Sequence, residues 1–331
     1  MKVVVTGGMG FLGMEVCKRL LRRGTAYSPV SKAMKSITNL TIYDAAPTSA
    51  VPDDVASDSR VHAISGNVTD KGWASPLVDT EDIAIFHFAS MMSGNSEADF
   101  DAAWEVNVLA QRTLLEALRV LPTQPRFFFT SSTATLGAEA SKLGAHDLTK
   151  LVPEGTYGFT KAVCELMLNE YSRRGFVDGR GLRLPVVIVR PGAPNAAATG
   201  CYSGVVREPL AGQKSTVPLP LDLQAPVTSY QVAADNMIKL MDVDQEALGV
   251  DRMYMQPSLT TTLAELYKSA GKYAKAKSIT LGPVEEDNDP VATRIVGGMT
   301  SETDGSRAKA IGLLGDDSAD EIVELYARDN L

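Results

Sequence analysis

Near its start the chain reads Lys2-Val-Val-Val-Thr-Gly-Gly-Met-Gly-Phe-Leu-Gly13, and residues with helical spacing follow from Met14 to Arg23. A short β-branched run thus leads through closely spaced glycines into a helix. In such a unit the first glycine permits a tight turn, the second lets the backbone approach a phosphate, and the third lets the helix pack against the strand. The helix start adds N–H groups and the positive end of a dipole. The stretch predicts a pyrophosphate site with contacts from Gly7, Gly10, Phe11, Leu12 and Gly13.

Strand-like and helix-like segments alternate beyond this opening unit. The predicted strands are Leu40–Tyr43, Val61–Ser65, Ile83–Phe88, Arg126–Thr130 and Pro185–Val189. The predicted helices between them are Phe100–Leu121 and Thr156–Arg174. This alternation is typical of an α/β fold with a Rossmann-type, doubly wound parallel sheet.

The alternation weakens after Gly192, where proline and glycine become frequent. We therefore predict a dinucleotide-binding region over residues 1–190 and a smaller substrate-capping region over residues 191–331. A segment near 227–258 is expected to return to the sheet. The connection 25–39 is long for a helix-to-strand link, so we expect an insertion at the rim of the sheet.

The residues that follow the predicted strands are candidates for cofactor contacts, because open α/β sheets bind ligands at the carboxyl ends of their strands. Asp44 follows the strand Leu40–Tyr43. An acid there accepts hydrogen bonds from both ribose hydroxyls of adenosine and repels a 2′-phosphate, which predicts NAD rather than NADP. A loop aspartate without a ligand is the alternative. The other candidates at strand ends are Asn67, Val68, Ala89, Ser90 and Pro191.

Asn107 falls inside the predicted helix 100–121. It is either a further cofactor contact or a structural residue that bonds the backbone of a neighbouring strand. The sequence leaves both roles open.

Composition disfavours several classes of protein. The chain has 331 residues, of which 44% are hydrophobic and 22% charged, so it can bury a large core. A net charge of −8 disfavours nucleic acid as a partner. We find neither an apolar stretch of membrane-spanning length nor a signal-peptide pattern, and we expect a cytoplasmic protein without a membrane partner. The three cysteines are expected to be free thiols, and the three histidines lack the spacing of a metal site.

The segment Tyr157-Gly-Phe-Thr-Lys161 is where we expect the chemistry. Residues four apart lie one above the other on a helix, so the ammonium of Lys161 can sit beneath the phenol of Tyr157. A nearby cation favours the phenolate, as does the positive nicotinamide ring of an oxidised cofactor. The phenolate can then take the proton of a substrate alcohol while a hydride leaves for the nicotinamide. Lys161 is also expected to hold the nicotinamide ribose, so both residues count as cofactor contacts.

A second pair with this spacing, Tyr273 and Lys277, lies in a lysine-rich segment of the C-terminal region and is expected to face solvent. Tyr157 differs because it follows a cluster of hydroxyl residues at the end of the strand Arg126–Thr130. A hydroxyl at that strand end can hydrogen-bond the reacting oxygen and hold the substrate in line with the base. Ser132 is the candidate for this role, and Ser131 and Thr133 are the alternatives.

The chain carries the motifs of one family in the family's order: Thr6-Gly-Gly-Met-Gly-Phe-Leu-Gly13, Ser132, Tyr157 and Lys161. It resembles the extended short-chain dehydrogenases, which include nucleotide-sugar epimerases and dehydratases. In that family the catalytic Ser or Thr stands five residues before a glycine, which favours Ser132 before Gly137. The family's dehydratases carry Asp-Glu where this chain has Thr133-Ala134, and many of its epimerases carry Tyr where this chain has Leu136.

Four further segments are similar to the D-erythronate dehydrogenases: Ser93–Phe100, Glu170–Arg180, Arg190–Ala198 and Arg207–Gly212. That family oxidises the C2 hydroxyl of a four-carbon sugar acid with NAD and forms the 2-oxo acid. The resemblance implies a small sugar-acid substrate, whose carboxylate the fork of Arg207 can grip bidentately. Asn195 and Ser93 are candidates to bond its hydroxyls, and a purely structural role is the alternative for each.

The larger family also implies an alternative activity and an assembly. The alternative is an NAD-dependent nucleotide-sugar epimerase, which keeps its cofactor bound and shows no net reduction. Members of the family often pair through a four-helix interface. A homodimer through the helices that begin at Phe100 and Thr156 is therefore expected by analogy.

Overall fold

The computed structural model describes residues 1–137, 144–192, 198–297 and 299–331. Its strands are β1 Lys2–Thr6, β2 Thr25–Ser28, β3 Ala33–Ser36, β4 Asn39–Asp44, β5 Val61–Ser65, β6 Ile83–His87, β7 Arg126–Ser132, β8 Asp178–Leu184, β9 Val186–Ile188, β10 Ser215–Val217, β11 Gln224–Ser229, β12 Met253–Met255, β13 Leu259–Thr262 and β14 Val284–Glu286.

Its α-helices are α1 Phe11–Arg23, α2 Asp53–Ala56, α3 Ser93–Ala98, α4 Phe100–Ala103, α5 Ala110–Arg119, α6 Thr156–Arg173, α7 Cys201–Leu210, α8 Tyr230–Leu240, α9 Gln245–Leu248, α10 Leu263–Lys277, α11 Pro290–Gly297, α12 Ser306–Ala310 and α13 Ala319–Asn330. A π-helical turn, Trp104–Leu109, joins α4 to α5. Among the described residues, no helix is both long and apolar enough to cross a membrane.

These elements cluster into two compact units that interleave along the chain. The first unit consists of Met1–Ser132, Gly155–Arg183 and Ala234–Tyr254. The second unit consists of Thr133–Glu154, Leu184–Ala233 and Met255–Leu331. The division of function at residue 190 stays a prediction.

The first unit is built on a seven-stranded sheet with the strand order β12-β8-β7-β6-β1-β4-β5. β1 pairs in parallel with β4 and with β6, and the pairs β4–β5 and β6–β7 are also parallel. The strand order changes direction at β1, with β4 and β5 on one side and β6 and β7 on the other. The predicted doubly wound α/β fold is confirmed, and its switch point lies beside the glycine turn that follows β1.

The core of this unit explains why these segments form these elements. Every residue of β1 is buried, as expected for a parallel strand covered on both faces. Helix α5 carries an apolar face with helical spacing, in which Leu114, Leu115 and Leu118 are buried. One apolar cluster joins this face to α6 and to the sheet through Leu168 and Phe127. Each such side chain contributes about 2 kcal/mol by leaving water.

The sixth strand of the sheet differs from the prediction. The sequence predicted Pro185–Val189, but the sheet contains the earlier segment β8, and β9 pairs with β11 in a separate three-stranded sheet. All of β8 is buried although it carries three charged residues, Asp178, Arg180 and Arg183. Ion pairs compensate for this burial, since Arg180 binds Asp178 and Arg183 binds Glu165. A strand of this composition lacks the apolar run by which buried strands are found in sequences.

The connection 25–39 forms an antiparallel hairpin. β2 pairs with β3 in a register that runs from Thr25↔Ser36 to Ser28↔Ala33. All four residues of β3 are exposed, whereas β2 alternates between buried and half-buried positions. The long connection is therefore ordered by its own backbone hydrogen bonds.

The second unit has its own sheets and core. It contains a three-stranded sheet with the order β13-β11-β9 and a two-stranded sheet of β10 and β14. Apolar side chains of α7, α10 and α13 form one cluster with these strands, including Tyr202, Leu266 and Ile322. Helix α10 begins with a capping box, in which Thr262 and Glu265 bond each other's backbone.

Candidate active site

The glycine turn closes directly after β1. Gly7 has a φ of +67°, and a side chain there would meet the backbone nitrogen of Ala89 at 2.6 Å. A side chain at Gly13 would overlap the carbonyl oxygen of Gly7. Gly10 caps α1 in an extended conformation and, as a glycine, places no side chain over the helix N-terminus. The turn therefore has the tight backbone geometry of the predicted pyrophosphate site, with Phe11 and Leu12 in the first turn of α1.

Asp44 lies against this turn at the end of β4. Its Oδ2 accepts a hydrogen bond from the backbone N–H of Met9 at 2.9 Å, and its Oδ1 accepts one from Ala46 at 3.0 Å. The backbone N–H of Gly7 donates to the carbonyl of Tyr43 at 2.8 Å. The structure thus brings the predicted ribose-binding acid and the predicted phosphate turn together.

The other strand-end candidates of the first unit differ in the contacts that they make. Asn67 Oδ1 accepts a hydrogen bond from the backbone N–H of Thr69 at 3.0 Å, and Val68 packs at the edge of the core. The Ser90 hydroxyl donates to Asn107 Oδ1 at 3.1 Å. The backbone of Ala89 occupies the space that a side chain at Gly7 would need, so the loop after β6 lies against the glycine turn.

Asn107 lies in the π-helical turn and is buried. Its Oδ1 accepts a hydrogen bond from the backbone N–H of Met91 at 2.7 Å, and its Nδ2 donates to Thr160 Oγ1 at 2.9 Å. The Thr160 hydroxyl donates in turn to the carbonyl of Tyr157 at 2.9 Å. One amide therefore links the loop after β6 to the helix that carries Tyr157. The sequence indicated Asn107 but gave no sign of its partner on α6.

The three predicted catalytic residues meet at the end of β7. Ser132 is the last residue of that strand, and its side chain is hydrogen-bonded to Tyr157. The Nζ of Lys161 donates to the carbonyl of Thr130 at 2.8 Å and lies 5.6 Å from the centre of the Tyr157 ring. All three belong to the first unit, on one strand and one helix.

Desolvation dominates the acid–base properties of Tyr157 and Lys161. It raises the pKa of the half-buried Tyr157 to about 12, although the hydrogen bond with Ser132 lowers that pKa. It lowers the pKa of the fully buried Lys161 to about 8, while Cys164 and Glu165 raise it. Each side chain is therefore shifted toward its neutral form. A lysine with a pKa near 8 changes its charge within the ordinary working range of pH.

Two buried groups beside the triad were missed by the sequence analysis. His87 ends β6, and its Nδ1 lies 2.7 Å from the hydroxyl oxygen of Thr6. Burial, followed by the charge of Lys161, lowers the pKa of His87 to about 3, so its ring is neutral. Glu165 binds the hydroxyl of Ser131 and the guanidinium of Arg183. Its position four residues after Lys161 was a usable signal, because that spacing places both side chains on one helix face.

The predicted substrate residues lie in both units. Ser93 begins α3 in the first unit and is exposed. In the second unit, Arg207 is a buried residue of α7, and Pro191, which was predicted as a cofactor contact, is half-buried. The Nη1 of Arg207 donates to the carbonyl of Arg190 at 2.6 Å, and its Nη2 donates to Glu208 Oε1 at 2.6 Å. Asn195 lies outside the described residues.

Comparison with known proteins connects this geometry to a family. The sequence profile of the NAD dependent epimerase/dehydratase family matches residues 3–225. D-erythronate dehydrogenase from Cupriavidus necator is 37% identical over 332 residues, covering 99% of this chain and 98% of that protein. D-erythronate dehydrogenase from Haemophilus influenzae is 32% identical over 326 residues, covering 98% of each.

A solved structure, the nucleoside-diphosphate-sugar epimerase from Agrobacterium tumefaciens, is similar over the whole chain. It superposes with a TM-score of 0.90 at 32% identity, covering 100% of this chain and 94% of that one. The profile and the solved structure agree with the doubly wound α/β fold. The chain belongs to the NAD-dependent epimerase/dehydratase family.

Proposed function

We propose that this chain oxidises the C2 hydroxyl of a small sugar acid such as D-erythronate to the 2-oxo acid, with NAD as the hydride acceptor. The observation that carries the proposal is the hydrogen bond between Ser132 and Tyr157 beside the buried Lys161. It occurs in a chain whose full-length relatives are D-erythronate dehydrogenases. The NAD dependence of the family supports the cofactor.

The glycine turn fits the pyrophosphate of NAD. The space that side chains at Gly7 and Gly13 would fill is taken by backbone, so the turn presents main-chain atoms to a ligand. The N–H groups of Phe11 and Leu12 at the start of α1 are the proposed donors to the phosphate oxygens. The Asp44 carboxylate is the proposed acceptor for the ribose hydroxyls of adenosine. Further contacts are proposed for Asn67, Val68, Ala89, Ser90, Asn107 and Pro191.

The oxidation removes a hydride from C2 and a proton from the C2 hydroxyl. NAD, when bound, supplies the hydride acceptor. Tyr157 is the proposed base for the proton, and Ser132 is proposed to hold the hydroxyl oxygen in line with it. Because desolvation raises the pKa of Tyr157 to about 12, the base needs positive charge close to the phenol. The ammonium of Lys161, 5.6 Å from the ring centre, is the cation of this chain proposed for that purpose.

The carboxylate of a sugar acid needs a cation, and Arg207 is the proposed one. Its contacts with Arg190 and Glu208 use two of the five donors that a guanidinium offers. Those contacts hold the side chain in one orientation, which lowers the entropy lost when a carboxylate binds. Ser93 and Asn195 are proposed to bond the hydroxyls of the substrate.

The test is dehydrogenation by Tyr157→Phe. We expect kcat to fall by about 10²- to 10⁴-fold, because the phenol oxygen that accepts the proton is gone, while NAD affinity changes little. Formation of NADH is followed by absorbance with NAD and NADP, each offered with erythronate, threonate and longer aldonates. The matched control is Tyr273→Phe, which changes the other Tyr-x-x-x-Lys pair and should leave turnover intact. Near-normal activity of Tyr157→Phe would refute the proposed mechanism.

A nucleotide-sugar epimerase is the second candidate, favoured by the similarity to the Agrobacterium tumefaciens structure. An epimerase returns the hydride to its own substrate, so NADH does not accumulate. The same assay separates the two activities. Stoichiometric release of NADH with an aldonate supports the dehydrogenase, whereas interconversion of a nucleotide sugar without NADH supports the epimerase.

We further infer that the chain acts as a homodimer in the cytoplasm. The compartment is supported by the three free thiols, Cys17, Cys164 and Cys201, which a reducing environment preserves. The dimer is supported by a partly exposed stack of aromatic rings on α4, the π-helical turn and α6. These rings belong to Phe100, Trp104 and Phe159, with centroids 6.0 to 6.5 Å apart.

A further inference from the structure

Glu165 is a buried carboxylate one helical turn after Lys161, and its side chain is 1% exposed. Arg183, from β8, binds it through two nitrogens: Nε donates to Oε1 at 3.0 Å, and Nη2 donates to Oε2 at 2.8 Å. The hydroxyl of Ser131, from β7, also donates to Oε1. A single carboxylate therefore joins α6 to two neighbouring strands of the sheet.

The bond to Ser131 acts on the catalytic strand end. Ser131 is buried, and it is joined by one peptide bond to Ser132, whose side chain is bonded to Tyr157. Movement of Ser131 would therefore move the hydroxyl that orients the substrate. Glu165 limits that movement from the same helix that carries Tyr157 and Lys161.

Glu165 also acts through its charge. Within the described residues, the titratable and charged groups that face Lys161 and Glu165 are Tyr157, Cys164, His87 and Arg183. Burial raises the pKa of Cys164 to about 12 and lowers that of His87 to about 3, so both are neutral near pH 7. The bidentate bond from Arg183 keeps a charged carboxylate tolerable inside the protein. Among these groups, Glu165 is therefore the one that carries a negative charge.

We propose that Glu165 is a positioning residue of the oxidation, which fixes the strand end at Ser131 and supplies the buried negative charge that helps to keep Lys161 protonated. This inference rests on the proposed roles of Tyr157 and Lys161. Glu165 is thereby proposed to act on the three residues of the triad without touching substrate or cofactor. Arg183 completes the unit by holding the carboxylate in place.

The first test is the pH profile of kcat/KM in Glu165→Gln. Glutamine keeps the shape and an acceptor for Ser131 but removes one negative charge. A more positive environment favours the loss of protons, so both proton dissociations of the coupled Tyr157 and Lys161 shift to lower pH. We expect the acidic and the basic limb of the profile to move to lower pH together, by about one pH unit.

The matched control is Glu170→Gln, which makes the same change of charge on the same helix. The side chain of Glu170 is 45% exposed and is paired with Arg173 and Arg174. Its profile should coincide with that of the unaltered protein. A shift of equal size in Glu170→Gln would overturn the inference, because it would show a general effect of net charge.

The second test is Ser131→Ala, which removes the hydrogen bond to Glu165 without a change of charge. We expect kcat to fall about tenfold, with both limbs at their original pH. This variant decides the positioning role if circular dichroism shows that Glu165→Gln is unfolded. A folded Glu165→Gln with unshifted limbs, or a Ser131→Ala with unchanged kcat, would overturn the inference. Tyr157→Phe distinguishes failure of the proposed function from failure of the proposed role of Glu165. If Tyr157→Phe is active, the proposed function is refuted. If Tyr157→Phe is inactive and the pH limbs of Glu165→Gln are unshifted, only the role of Glu165 is refuted.

Discussion

The carboxylate of Asp44 accepts hydrogen bonds from the backbone N–H groups of Met9 and Ala46, so it is held beside the glycine turn. A negative charge fixed there repels the 2′-phosphate of NADP. Asp44→Ser removes that charge and keeps a small polar side chain. We expect kcat/KM with NADP to rise about tenfold, because the 2′-phosphate is no longer repelled. We expect kcat/KM with NAD to fall about tenfold, because the ribose hydroxyls lose their carboxylate acceptor. A tenfold change in either direction corresponds to about 1.4 kcal/mol.

The matched control for this change is Asp53→Ser, in the short helix α2. Asp53 is an exposed aspartate of the first unit, outside the glycine turn. Both variants are assayed with each cofactor at one ionic strength, because screening weakens charge effects. An unchanged ratio of NAD to NADP activity in Asp44→Ser would contradict the assignment of Asp44 to cofactor choice.

Single residues also show what a sequence can and cannot predict about a site. The proximity of Tyr157, Lys161 and Ser132 was predictable because helix spacing and strand ends fix which side chains meet, and their catalytic roles stay a prediction. The contacts of Glu165 were not, because Arg183 reaches it from a strand whose burial the sequence did not reveal. The neutral state of His87 likewise depends on burial by the fold rather than on its neighbours in sequence.

Among the elements, the π-helical turn Trp104–Leu109 is the one that shapes the site. The sequence predicts a continuous helix over 100–121, because the spacing of apolar residues does not reveal a single π-helical turn within a helix. The wide turn contains Asn107, whose amide bonds both Met91 and Thr160. It thereby ties α6 to the loop after β6.

We expect Asn107→Ala to lower the free energy of unfolding by about 2–4 kcal/mol, because the half-buried N–H of Met91 and the buried hydroxyl of Thr160 each lose a partner. Urea unfolding, followed by fluorescence, measures the change. The control is Asn95→Ala on α3, where the side chain is exposed and the expected change is within about 0.5 kcal/mol. Equal stability of the two variants would argue against a structural role for the Asn107 amide.

Strands β8 and β9 show the limit of prediction for elements. The apolar segment Pro185–Val189 looked like the sixth strand, whereas the sheet uses a segment with Asp178, Arg180 and Arg183. Charged side chains become suitable for a buried strand only when ion-pair partners neutralise them, which here come from the strand itself for Arg180 and from α6 for Arg183. Strand β5 has the predicted bounds, Val61–Ser65.

At the level of the whole molecule, each of the two units is built from three separate segments of the chain. Apolar and glycine patterns predicted the sheet of the first unit, whereas the division of function at residue 190 stays a prediction. The triad lies entirely in the first unit, while Arg207 belongs to the second.

The assembly of two such chains can be tested on the helices of the first unit. Phe159 and Leu166 lie seven residues apart on α6, hence on one face, and are 38% and 63% exposed. If two copies pair there, Phe159→Glu/Leu166→Glu should place charges in the interface and give a monomer, measured by light scattering after size exclusion. Val250→Glu is the control, because Val250 is 83% exposed elsewhere in the same unit and should leave a dimer. A dimeric double variant would rule out this face as the interface.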